Sequence, residues 1–249
     1  MAIVFGKRSS YLWNKAWGAM GVFALLLLLI VVISFLGPVI TKLGYVGLVV
    51  VIGLMGIFLS LFEKRKKIVD RWVNGIEGEG EIVEELKKLP DNYVVIRGLK
   101  VKEHLDVDCT VVGPNGVFAI EVKSHKGKIE FDGQVLTRNG RRFEKDFLRQ
   151  VTAEAFGLRD KIRNLAKIDL YVEAVLVFSN KYASVNLGQQ MVRGCRVIGR
   201  DWLNNILEMT PGQKLENSFI FKIVSTLVAD IADNKKDKKL DELKRIIGT

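Results

Sequence analysis

The feature that most constrains this chain is a distribution of charge. Residues 1–62 carry four basic side chains, Lys7, Arg8, Lys15 and Lys42, and no acid at all. Between Lys15 and Lys42 lie 26 uncharged residues, and between Lys42 and Glu63 there are 20 more. A helix needs roughly 20 apolar residues to cross a hydrocarbon core of about 30 Å. The pattern therefore predicts a helical hairpin, with spans near 18–36 and 43–62 separated by Gly37, Pro38 and a turn too short to hold a domain. Trp13, Trp17 and Tyr45 suit the interfacial level. Lys7, Arg8 and Lys15 precede the hairpin, and Lys64, Arg65, Lys66 and Lys67 follow it. Positive flanks stay inside, so the expected location is the cell membrane, multi-pass, with both termini cytoplasmic. The first apolar run is too long for a signal-peptide core, and no small-x-small cleavage site follows it. Neither span holds an ionisable group, which argues against a proton relay within the chain. Gly44, Gly47, Gly53 and Gly56 give a spacing that favours close helix packing, and so a homo-oligomer is an open expectation.

The rest of the chain is different in kind. Of the 38 Lys+Arg, 34 remain after residue 62, against 28 acids, so this part is water-compatible with a modest basic excess. That division explains how a mean hydropathy of +0.18 coexists with 27% charged residues. The sequence predicts a basic juxtamembrane helix or linker over 63–74, a folded domain over 75–233 and a lysine-rich, solvated helical tail over 234–249, on which Leu240, Leu243, Ile246 and Ile247 form one apolar stripe. Apolar spacing predicts a helix over Ile82–Leu89 and another over Lys145–Leu165. Strands are predicted at Tyr93–Ile96, Leu105–Val112, Val117–Lys123, Lys128–Phe131, Gln134–Thr137, Val172–Phe178 and Arg196–Ile198, with helices near Trp202–Met209 and Leu215–Ala232. The expected fold class is α/β, a mixed sheet flanked by helices. Cys109 and Cys195 offer no disulfide framework, and with only His104 and His125 a multi-histidine metal site is nearly excluded.

One hairpin concentrates the chemistry. Gly113-Pro-Asn-Gly116 is a strong turn signal; if Val112 faces Val117, opposed residues have numbers that sum to 229. Asp108 then faces Glu121, Asp106 faces Lys123, and all four project from one side of the sheet. Opposed Cβ atoms are about 4.5–5.5 Å apart, so two uncompensated carboxylates there would repel. A divalent cation such as Mg²⁺ (or Mn²⁺) resolves the conflict, since it favours one or two carboxylates, waters and a phosphate. Lys123 beside it could position water or offset charge on a phosphorane-like transition state. The competing reading is an exposed acid–lysine cluster worth under about 1 kcal/mol. Glu-x-Lys alone is weak, for the chain contains it three times.

Taken together, Gly78-Glu-Gly-Glu81 before a helix, Asp108, Gly116-Val-Phe-Ala-Ile-Glu-Val-Lys123 and Gly127-Lys-Ile resemble the nuclease-related domain (NERD) family of the PD-(D/E)xK superfamily, over roughly Gly75 to Leu207. The resemblance implies a restriction-endonuclease-like core. It implies Asp108 and Glu121 as metal-binding acids, the Val122 carbonyl as third ligand, Lys123 as the catalytic lysine and Glu81 as the acid of the first helix. Glu81 is preferred to Glu79 because it begins the apolar period. Asp106 is an extra acid that could substitute as ligand or pair with Lys123. Gln150 resembles the helix glutamine that related nucleases place near the site, though a surface amide is the plain alternative. Lys126, Lys128, Arg138, Arg141, Arg142, Lys145 and Arg149 make the following region basic, which suits DNA or RNA phosphates or simply solvent. The expected function is a membrane-anchored, metal-dependent hydrolase of nucleic-acid phosphodiester bonds. The rival is a degenerate nuclease-fold module that tethers nucleic acid or a scaffold to the bilayer.

Overall fold

A computed structural model describes residues 1–6, 44–187, 190–209, 214–229, 231 and 236–247, with isolated positions between 20 and 42. Two compact units divide the chain: Met1–Arg8 with Glu77–Thr249, and Ser9–Ile76.

The larger unit is built on a seven-stranded mixed sheet. Its strands, in chain order, are β1 (Ile3–Phe5), β2 (Val94–Lys102), β3 (Leu105–Gly113), β4 (Gly116–Lys123), β8 (Val172–Phe178), β10 (Met191–Val192) and β11 (Cys195–Gly199). Spatial order is β1-β2-β3-β4-β8-β11-β10, and β5 (Gly127–Phe131), β6 (Leu136–Arg138), β7 (Arg141–Arg142) and β9 (Ala183–Val185) form a separate four-stranded sheet, β7-β6-β5-β9. Hairpins make β2, β3 and β4 antiparallel, whereas β4, β8 and β11 run parallel. That requires a crossover, supplied between β4 and β8 by the helix Phe147–Ala166.

The helices are α1 (Gly44–Leu86), α2 (Phe147–Ala166), α3 (Leu203–Met209, after a 3-10 turn at Arg200–Trp202), α4 (Asn217–Ala229) and α5 (Lys236–Ile247). Strand residues alternate between two cores. Val94, Ile96 and Val112 pack with α2 and α4 on one face, while Val95, Cys109 and Val111 pack with Ile82, Val83 and Leu86 of α1 and with α3 on the other. Asp146 caps α2, its Oδ1 accepting from Arg149 N at 3.1 Å, and Lys167 ends it in the left-handed region.

Three expectations change. The short helix at Ile82–Leu89 and the linker before it are one continuous helix, Gly44–Leu86. The chain's first residues, given no element from the sequence, form β1 parallel to β2, with Ile3 opposite Val94 and Phe5 opposite Ile96. The lysine-rich tail is not merely solvated: α5 buries Leu243 and Ile247, and Lys239 Nζ donates to the Val4 carbonyl. An apolar stripe on a charged helix suffices to seat it, because only that stripe must leave water.

Among the described residues no helix is long and apolar enough to cross a membrane. Of the two expected spans, 18–36 lies almost wholly outside the described residues, as do Trp13, Trp17 and the preceding basic residues. The second, 43–62, coincides with the first part of α1, where many side chains also lie outside them.

Candidate active site

The register of β3 and β4 follows from their turn. Val112 pairs with Val117 and Cys109 with Ile120, so the opposed numbers sum to 229 as the turn predicts. There the backbone ladder stops. Asp108 continues the association with its side chain, Oδ2 accepting from Val122 N at 2.8 Å. The divergence carries Asp106 away: it is exposed, opposite Lys100 of β2 and not opposite Lys123. Asp106 is therefore not part of this cluster, which corrects the face-sharing expected from uninterrupted pairing.

Glu121 is 4% exposed, at the end of β4, where it pairs with Leu176 of β8. Lys123 Nζ donates to Glu121 Oε1, and the ammonium lies 4.9 Å from the centre of the Phe147 ring. Gln150, one turn into α2, brings Nε2 to 2.7 Å from Glu121 Oε1 and 2.9 Å from Glu154 Oε1. Sequence reasoning thus selected Asp108, Glu121, Lys123 and Gln150, and the fold brings these four together.

Glu81, the acid expected from the first helix, is exposed and forms an ion pair with Arg200 at 3.0 Å. Glu79 is the residue whose charge acts on Asp108. Glu79 is half-buried and shares the i, i+4 and i+7 spacing of the buried Val83 and Leu86. Glu81 is half a turn away. Nearness in sequence to the first apolar residue is no guide to helix face. Gly78 is what lets α1 come so close, since a Cβ there would lie 2.3 Å from Ser179 Oγ and 3.3 Å from Ser124 Cβ.

Glu154 was missed altogether. It is 1% exposed, on the buried side of α2 beside Val151, Ala155 and Leu158, and its Oε2 has no hydrogen-bond partner. A lone glutamate on a helix reads as a surface residue, but its place among apolar neighbours at helical spacing was legible.

Electrostatically the cluster is acid-rich and dry. Burial, followed by the charges of Glu121 and Glu79, holds the Asp108 carboxyl well above the usual range, against the opposing Val122 N–H and Lys123. Burial and then Glu121 push Glu154 up to about 8. Lys123 is raised: burial acts against its charge, but Glu121, Asp108 and Glu154 outweigh it. His125 is lowered by burial and then by Arg138 and Lys123; its ring stacks on Phe147 with centroids 5.7 Å apart.

Residues 74–179 match the nuclease-related domain. Searches among curated proteins and among solved structures returned no significant match. The NERD interval contains Glu79, Asp108, Glu121, Lys123, Gln150 and Glu154, so the whole cluster lies inside it. Strands β1, β9, β10 and β11 and helices α3 to α5 lie outside it. The nuclease-related region is compatible with binding nucleic acid. Exposed Lys126, Arg141 and Lys145, near the cluster in sequence, have no acidic partner among the described residues, whereas Arg142, Arg193 and Lys128 are paired with Asp132, Asp146 and Glu130.

Among the described residues no group of three or more His, Cys, Asp or Glu is arranged to hold a metal ion. The chemistry of the smaller set still fits a hard cation. Asp108 and Glu121 are oxygen donors, the charge of Glu121 close enough to raise the proton affinity of Asp108, and one or two carboxylates with waters are what magnesium commonly takes from a protein.

Proposed function

We propose that this protein is a metal-dependent nuclease, anchored to the membrane with its nuclease-related domain on the cytoplasmic side. The observation that carries the first half is the packing of Asp108 against Glu121 and Lys123 at the end of a buried hairpin within the NERD interval. Asp108, Glu121 and the Val122 carbonyl would hold Mg²⁺ or Mn²⁺. When bound, such an ion supplies Lewis-acid polarisation of the phosphate and a more acidic water.

The side chains have separable tasks. Phosphodiester hydrolysis joins a water oxygen to phosphorus, breaks a phosphorus–sugar oxygen bond and builds negative charge on the phosphoryl oxygens. Lys123 has its proton affinity raised, so at neutral pH it is a cation that offsets that charge and does not act as the base. Gln150 Nε2 steadies Glu121. Glu79, whose charge acts on Asp108, would take the part of helix acid in place of Glu81. Lys126, Arg141 and Lys145 supply phosphate contacts without reading sequence.

The second half rests on topology. Residues 1–8 and 77–249 belong to one compact unit, so the intervening segment begins and ends at the same body. If 9–76 enters a bilayer it crosses an even number of times, as a hairpin does. The basic flanks then place both ends in the cytoplasm.

Two experiments test the two halves. The full-length protein and its Asp108→Ala, Glu121→Ala and Lys123→Ala variants are incubated with labelled single- and double-stranded DNA and RNA, with Mg²⁺, Mn²⁺ or EDTA. Cleavage that needs the metal and is lost at least a hundredfold in each variant is expected; equal cleavage by all four removes the site assignment. For the anchor, Lys42→Cys should react with an impermeant maleimide on intact cells and Glu63→Cys should not. Cys109 and Cys195 are buried, so background labelling is low. Identical behaviour of the two introduced thiols rules out the hairpin.

A further inference from the structure

The Gln150 carboxamide has two carboxylate oxygens against one end. Nε2 lies 2.7 Å from Glu121 Oε1 and 2.9 Å from Glu154 Oε1. The Glu121 carboxylate can only accept and a carboxamide oxygen cannot donate, so the NH₂ group must face Glu121; Glu154 Oε1 accepts from the same nitrogen whether or not its carboxyl holds a proton on Oε2. Both acids therefore hold the NH₂ end, and the amide Oε1 is turned away from both. With Glu121 alone, the amide would keep one bond and the freedom to rotate about it. Glu154 is 1% exposed and stands one turn from Gln150 on α2, among Val151, Ala155 and Leu158. Burying a carboxyl group there is costly, and a helix surface or apolar core alone would not call for it. Its second oxygen, Oε2, is buried as well.

We propose that Glu154 is a positioning residue: it locks the Gln150 carboxamide with Nε2 on Glu121, and through that lock sets the orientation of the Glu121 carboxylate. The inference rests on the nuclease reading for its consequence in activity, though not for its geometry. Glu154 touches neither substrate nor reacting atoms. It acts through a residue that touches the acid at the centre of the site, much as outer groups orient first ligands in metal enzymes.

The test has two readouts, both on the full-length protein. The first is the ¹⁵N-labelled side-chain NH₂ signal of Gln150, assigned by its loss in Gln150→Leu. In the parent it should be slow to exchange with water. In Glu154→Leu it should lose at least tenfold in protection, and in Glu154→Gln most of the protection should return, because a glutamine oxygen still accepts. Unchanged Gln150 protection in Glu154→Leu would overturn the proposal whether or not the protein cuts nucleic acid. The second readout is cleavage. Glu154→Leu should lower kcat by ten- to a hundredfold with KM little changed, and Glu154→Gln should restore most of it.

A double-mutant cycle decides whether the effect passes through Gln150. Gln150→Leu with Glu154→Leu should be no worse than Gln150→Leu alone. Losses that multiply would assign Glu154 an independent role and overturn the proposal. If the parent fails to cleave any substrate, the nuclease reading fails, and the exchange measurement still decides the lock.

Discussion

Gly78 and Glu154 show how single residues shape the cluster. Alanine is ordinarily better than glycine inside a helix by about 1 kcal/mol. At position 78 the sign should reverse, because the added methyl meets Ser179 Oγ and Ser124 Cβ. Gly78→Ala should destabilise the domain by about 1–3 kcal/mol in denaturant unfolding, the usual cost of overpacking, and adding Ser179→Ala should return much of it. Glu154 carries a pH signature. Its folded pKa is raised from 4.5 to about 8, so between those values the folded state binds more protons than the unfolded one. Stability from this group is complete below about 4.5 and falls as pH rises towards 8. The parent's Tm should decline across that window more steeply than that of Glu154→Gln, measured without divalent ions. The need for glycine at 78 comes from Ser124 and Ser179, 46 and 101 positions away, and no local pattern reveals it, whereas the burial of Glu154 was inferable from helical spacing.

At the level of elements, the β3–β4 hairpin was the most legible part of the chain. A four-residue turn between two apolar runs leaves one sensible register, and the pairing of Val112 with Val117 follows from it. What the pattern could not tell was where pairing ends. Past Cys109 the strands separate, and an aspartate side chain does the joining, which is why Asp106 was wrongly set opposite Lys123. In helix α5 the stripe of Leu240, Leu243, Ile246 and Ile247 stands out among eight charged positions, but a stripe does not say whether it meets a partner. Leu243→Ala should cost about 2–5 kcal/mol, as a large-to-small change in a core does, and the loss should appear in thermal unfolding of the whole domain. A purely solvated tail would leave Tm unchanged.

For the whole molecule, the sequence marked the division between an apolar first part and a charged remainder, but it placed the first residues on the wrong side of it. Nothing in three residues, Ile3 to Phe5, distinguishes an edge strand from the approach to an apolar segment. A fragment that begins after that segment therefore lacks β1, and Phe5, which is fully buried, goes with it. We expect the fragment 63–249 to unfold at a lower temperature than the full-length protein. Adding residues 1–8 as a separate peptide should raise its Tm.

The pairing of β1 with β2 also has a consequence for how the chain is made. Ile3 is synthesised about ninety residues before its partner Val94. At the usual pace of 5–20 residues per second, the beginning of the protein waits several seconds with no strand to join. Closing so long a loop is slow beside local helix formation. Until it closes, β2 presents an unpaired edge to any other nascent chain. Residues 3–5, made well before β2, are thus among the last to find their place, and whatever 9–76 does in the meantime must leave them free to return.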